Sequence, residues 1–160
     1  MNNVKMNTRL ELTRQALAVR DYKALRNILQ DVHPADISEL LQELDAGDAA
    51  LLFRLLPKDE AAEAFALLGA PAQQALIQSF SDRETAALLE ALYMDEAVDF
   101  LEELPANAVK RILQSSTPDM RAQLNRFLQY KEDSAGSVMT TELMRFADDS
   151  TVGEALAAIR

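Results

Sequence analysis

Cysteine and tryptophan are absent from the chain, and only four glycines and one histidine occur in its 160 residues. Without cysteine there is no disulfide frame, no thiol nucleophile and no zinc-finger spacing, which suits a reducing cytoplasm. So little glycine leaves no phosphate-cradling loop, and neither G-x-S-x-G nor H-E-x-x-H is present. No apolar run approaches the roughly 18 residues needed to cross a bilayer. The opening MNNVKMNTRLEL has no apolar stretch of the kind a signal peptide needs. Positive charge is also scarce: 16 Lys and Arg face 26 Asp and Glu, a formal charge of −10. Such a surface repels phosphate backbones and attracts cations or basic protein surfaces, so nucleic acid is not an expected partner. With aromatics at 6%, the core must be built mainly from Leu, Ala, Ile and Phe.

What is present is a repeat. Cut every twelve residues from His33, the chain falls into HPADISELLQEL, DAGDAALLFRLL, PKDEAAEAFALL, GAPAQQALIQSF, SDRETAALLEAL, YMDEAVDFLEEL, PANAVKRILQSS and TPDMRAQLNRFL. Positions eight, nine and twelve are nearly always apolar, the i, i+1, i+4 spacing of one helical stripe. The first four positions gather Pro, Asp, Ser, Gly and Asn, and all five prolines fall there. Proline is tolerated in a first helical turn because its missing N–H would have had no partner. Each unit therefore reads as a helix of about eight or nine residues plus a tight turn. A helix about 13 Å long does not persist alone and must bury its stripe on neighbours.

The expected fold is all-α: a superhelix of about ten short helices with a twelve-residue repeat. Turns are expected near residues 45, 57, 69, 81, 93, 105 and 117. Leu41, Phe53, Phe65, Ile77, Leu89, Leu101 and Leu113 share one repeat position and should be buried. Ahead of the repeats, residues 8–20 and 22–32 suggest two more helices, with Asp21 placed to cap the second. Two repeats depart from the pattern: GAPAQQALIQSF is neutral, and the eighth has Asn125 where an apolar residue belongs.

Charge is concentrated, with eight acidic residues and one basic within 81–104. In YMDEAVDFLEEL, Asp95, Glu96, Asp99, Glu102 and Glu103 fall within an arc of about 120° at 100° per residue. Like charges at i, i+4 oppose one another. A solvated outer face, a basic partner or a hard divalent cation each compensates them, and Mg²⁺ often uses only one or two carboxylates plus waters. His33, in HPAD, reads as a residue beside a helix start, with Asp36 near the positive end of the dipole. A lone histidine without a partner is poor catalytic material, so no enzyme is expected. Met94, Met120, Met139 and Met144 read as packing residues.

The segments HPADISELL, LLPKDEAAEAF and YKEDSAGSVMT, taken with DEAVDFLEELP, resemble the N-terminal cytosolic domain of MgtE-type magnesium transporters, which are bacterial Mg²⁺ channels. The resemblance covers residues 8–160. It implies a helical superhelix followed by two cystathionine-β-synthase-type (CBS) domains, a connecting helix and a membrane pore, working as a homodimer. On that frame residues 1–32 are the N-terminal helices and 33–129 the Mg²⁺-sensing repeats. Residues 130–141 are the joint and 142–160 the start of a truncated first CBS domain. Mg²⁺ held between the superhelix and the CBS region would favour a closed gate. The matching ligand positions are Glu63 in AAEAF, Asp95 and Asp99 in DEAVD, and a backbone contact near Ser137 where relatives can carry glycine. The implied place is the cytoplasmic side of the bacterial cell membrane, the whole protein being a multi-pass membrane protein. The partners implied are Mg²⁺ and the CBS domains and pore of the same protein. The alternative is a helical-repeat interaction scaffold such as a flagellar motor switch-like module, whose acidic stripe would bind a basic protein. A helix opening at Thr151 is expected to be capped by Ser150 or Asp149.

Overall fold

The computed structural model describes residues 2–131, 134–136, 139 and 144–159, with side chains described from Met6 onward. Among the described residues there are eleven α-helices and no strand. The twelve-residue register is written in the helix starts. Asp21, His33, Asp45, Pro57, Gly69, Ser81, Tyr93, Pro105 and Thr117 are successive N-cap residues, so the period runs one unit further back than His33. The helices they open are α2 (Tyr22–Leu29), α3 (Pro34–Gln42), α4 (Ala46–Phe53), α5 (Lys58–Ala66), α6 (Ala70–Gln78), α7 (Asp82–Leu89), α8 (Met94–Glu102), α9 (Ala106–Ser115) and α10 (Pro118–Phe127).

The caps use different chemistry to satisfy the same orphaned N–H groups. Asp45 Oδ1 accepts from Gly47 N and Asp48 N, both at 3.0 Å. Ser81 and Glu84 form a reciprocal capping box. His33 Nδ1 accepts from Ala35 N at 3.3 Å, so the single histidine is a helix cap. Pro57 and Pro105 offer no side-chain acceptor and instead stop the preceding chain from continuing as helix.

Within the repeats the main packing joins helices two apart, α3 with α5, α5 with α7, α7 with α9, α4 with α6 and α8 with α10, while α1 packs mainly on α2. Odd and even helices thus form two rows, and the shared apolar stripe is buried between them. Leu41, Phe53, Phe65, Leu89 and Leu101 are buried there. Ile77 and Leu113 are only partly buried, against expectation. In α6, Leu76 takes the buried place and Ile77 turns to the edge. Leu113 faces the open end of the odd row, where Leu104, Val109, Arg121 and Asn125 line a groove with it. Asn125 is exposed for the same reason: no further repeat covers it, so a polar side chain there costs nothing.

Side chains also clip non-adjacent units. Arg54 of α4 meets Glu84 of α7 at 2.8 Å and donates to Ser79 O at 2.8 Å, while its guanidinium lies 5.3 Å over the Phe80 ring. The Arg54 hydrogen bond, followed by those from Ser81, holds the Glu84 carboxyl down at about 2. Arg111 of α9 reaches Asp82 of α7 at 2.8 Å.

At the N-terminus, α1 runs Asn2–Ala18, starting earlier than residue 8, because Met6, Leu10, Thr13 and Leu17 continue one buried stripe. Its end is a full Schellman turn: Asp21 N donates to Ala16 O at 2.9 Å and Arg20 N to Leu17 O at 3.0 Å. Arg20 therefore sits in the left-handed region, φ 54°, where glycine is the usual residue. Arg20→Gly is expected to raise stability by about 1 kcal/mol, read as a higher thermal midpoint. A lower midpoint would mean that the Arg20 side chain makes contacts worth more than the relieved strain. α2 stops at Leu29, short of residue 32, because Gln30 is already extended, and Asp31 beyond it adopts a left-handed φ, 56°.

Near the end of the chain, α11 (Val152–Ile159) is opened by a capping box in which Thr151, not Ser150 or Asp149, exchanges hydrogen bonds with Glu154. No residue of α11 is buried, and Val152, Leu156 and Ile159 are exposed. No helix among the described residues is long and apolar enough to cross a membrane.

Candidate functional site

Helix α8 carries the acidic stripe because its alternating chemistry divides it lengthwise. Met94, Ala97, Val98, Phe100 and Leu101 are buried, which leaves Asp95, Asp99 and Glu102 along the outer arc. Asp95 and Glu96 stand in the first turn, where the helix dipole favours negative charge. Glu96 Oε2 accepts from Tyr93 N at 3.2 Å, so this carboxylate is engaged in capping its own helix. Glu102 and Glu103 stand at the opposite end, where the dipole disfavours them.

Asp95 and Asp99 are one turn apart. Asp95 Oδ1 is shut off from solvent and has no hydrogen-bond partner. An acceptor left in that condition carries its desolvation cost unrelieved, about 1–3 kcal/mol or more for a charged group. The Asp99 carboxyl is raised above the ordinary range, first by burial and then by the Asp95 charge. Its side chain still reaches solvent, which limits that elevation. Among the described residues no ion pair reaches either carboxylate, since the salt bridges join Arg9 to Asp36, Arg14 to Glu11, Arg54 to Glu84 and Arg111 to Asp82. The pair is thus an unmet oxygen site: two carboxylates, one of them with a sealed and unsatisfied oxygen.

Glu63 stands elsewhere. It is exposed on α5. Phe65, two residues and 200° further round that helix, is the residue that meets α8, with its ring centroid 5.1 Å from that of Phe100. Glu63 therefore points away from the face that α8 approaches. Consistently, the described residues hold no group of three or more His, Asp or Glu side chains that could hold a metal ion. Ser137 lies outside the described residues. The structure thus joins Asp95 to Asp99 and leaves Glu63 separate.

Two contacts near this region carried no signal in the repeat. Gln74 of α6 donates to Glu103 O at the C-cap of α8, 3.0 Å away, tethering the acidic helix across the even row. Gly136 lies against the ring of Tyr130, just beyond α10.

The chain is similar to known proteins along most of its length. The family described as the MgtE intracellular N domain matches residues 32–133. A magnesium transporter MgtE from Thermus thermophilus is 32% identical over 150 residues, which are 91% of this chain but only 33% of that protein. The soluble part of a magnesium transporter superposes with a TM-score of 0.87 at 22% identity, over 96% of this chain and 61% of that one. The cytosolic domain of the Mg²⁺ channel MgtE in complex with ATP superposes with a TM-score of 0.81 at 30% identity, over 94% of this chain and 62% of that one. The chain therefore spans about a third of the curated relative and about three fifths of each related structure.

Proposed function

The chain belongs to the MgtE intracellular N domain family, and from that premise we propose that it is the Mg²⁺-sensing regulatory domain of a magnesium transporter, on the cytoplasmic side of the membrane. Residues 33–129 are the sensing superhelix, 130–141 the joint, and 142–160 the opening of a CBS domain. The working partners are Mg²⁺ and the CBS domains and pore of the same protein, assembled as a homodimer.

The observation that carries this reading is the Asp95–Asp99 pair, with the orphaned Asp95 Oδ1 beside an exposed acid. The donor set suits a hard cation, because both groups offer only carboxylate oxygen. When bound, Mg²⁺ supplies a compact divalent charge that keeps several of its own waters. Asp95 and Asp99 would face that hydrated charge from α8, Glu63 would do so at a separate place on α5, and Ser137 would contribute from the joint. Two carboxylates do not close an octahedral shell, so this domain holds half-sites, and acidic groups of the CBS region complete them. With the ion held by Asp95 and Asp99 on this side, the two parts would stay together and the gate would be closed. Unbridged, their like charges drive them apart.

A half-site should bind weakly. In a Mg²⁺ titration followed by backbone amide NMR, signals around Asp95 and Asp99 are expected to move at high Mg²⁺ concentration only, with the fold unchanged. Tight stoichiometric binding, or shifts confined to other helices, would overturn the assignment.

A further inference from the structure

Glycine is usually placed for backbone freedom, but no described glycine has a positive φ. At Gly136 the requirement is room. A Cβ placed there would stand 2.6, 2.7 and 2.9 Å from Cδ1, Cγ and Cε1 of the Tyr130 ring. Real Cβ atoms essentially never come that close, so either the ring or the chain at residue 136 would have to shift. Tyr130 N donates to Phe127 O at 3.0 Å, which continues the end of α10 into the tyrosine. Its ring meets that of Phe127 edge-on, with centroids 5.6 Å apart and planes at 81°. Phe127 in turn is buried in the core. Ser134 N donates to Lys131 O at 3.1 Å, a turn that brings the chain back toward the ring. The order from inside to outside is therefore core, Phe127, Tyr130, Gly136.

We propose that Tyr130 and Gly136 form a latch that docks the chain at Gly136 onto the end of the superhelix. Tyr130 and Gly136 are thus positioning residues for the joint. The contact fixes where the chain stands at Gly136, from which the joint of the regulatory reading continues. That consequence rests on the regulatory reading above; the contact itself does not.

The test uses the whole chain without Mg²⁺. In the wild type, the Gly136 Hα resonances are expected upfield of ordinary glycine positions, because they lie against an aromatic face. Tyr130→Leu, which keeps an apolar side chain on Phe127, should return them to ordinary values. Gly136→Ala should speed tryptic cleavage at Lys131 by about fivefold or more, the overpacking having opened the turn. The thermal midpoint of the superhelix should stay within a degree or so, since the core beneath Phe127 is untouched. In the double variant Tyr130→Leu/Gly136→Ala, cleavage should match Tyr130→Leu alone, because the added methyl group no longer meets a ring. Ordinary Gly136 shifts in the wild type, or unchanged cleavage in Gly136→Ala, would overturn the latch. A latch that passes while the Mg²⁺ titration fails would remove the regulatory reading alone.

Discussion

Phe65→Ala is expected to cost the domain about 3–5 kcal/mol, a large part of the 5–15 kcal/mol that holds a typical domain together. Phe65 has no exposed surface. Its ring lies 6.3 Å from Phe53 of α4 and 5.1 Å from Phe100 of α8, edge-on to both. One side chain on the odd row is thus packed on two helices of the even row. None of these helices exceeds ten residues, and helices that short have no stability of their own. Removing the ring takes away the transfer term and leaves a cavity that rigid neighbours only partly fill. Phe65→Leu should cost much less, about 1.5 kcal/mol or under, because most of the volume is kept. Ile77→Ala, at the half-buried equivalent position in α6, should fall between them. Urea denaturation of the three variants checks the order. A cost for Phe65→Ala below about 1 kcal/mol, or as small as that of Ile77→Ala, would mean that the aromatic chain is peripheral.

The helix starts were legible because capping is local. Asp45, Ser81 and Thr117 each satisfy N–H groups two or three residues away, and Pro34, Pro71 and Pro118 sit in first turns where their missing donor is harmless. The buried stripe was legible for five of its seven positions. Ile77 and Leu113 missed because burial depends on what lies two helices away, and a periodic pattern does not state where the rows end. The acidic arc of α8 was visible from spacing, but the unsatisfied Asp95 oxygen was not, since it arises from the neighbours that enclose it. Glu63 illustrates the opposite limit. It shares an acidic character with Asp95 and Asp99, yet Phe65 turns it to another face, and only packing shows which side of α5 meets α8. The Tyr130–Gly136 contact has no periodic signature at all, because glycine for room and glycine for a turn look identical in a sequence.

On the regulatory reading proposed above, a whole transporter carrying Glu63→Gln/Asp95→Asn/Asp99→Asn is expected to need at least about tenfold more cytosolic Mg²⁺ for half-inhibition. Two effects of the substitutions oppose each other, and their sizes decide the outcome. Loss of three negative charges weakens the repulsion proposed to part the domains when Mg²⁺ is low, which favours closure. Exposed like charges are worth a few tenths of a kcal/mol each in physiological salt, so this term is small. Loss of the carboxylates also removes groups that, on that reading, contact the ion only in the closed arrangement, which favours opening when Mg²⁺ is high. A ligand shifts a two-state equilibrium only by its differential affinity, and moving it from 1:99 to 99:1 takes about 5.5 kcal/mol. On the proposed reading the carboxylates supply part of that difference, so the second effect is expected to prevail. The variant should therefore be somewhat more closed at low Mg²⁺ and markedly more open at high Mg²⁺, giving a flattened inhibition curve. Glu102→Gln/Glu103→Gln lies on the same helix and removes similar charge, but neither residue belongs to the proposed ligand set. It should reproduce the small low-Mg²⁺ effect and leave the half-inhibitory concentration in place. Channel recordings across a Mg²⁺ series separate the two. An unchanged curve in the triple variant, or an equal shift in the Glu102/Glu103 control, would show that general surface charge and not these three carboxylates carries the response.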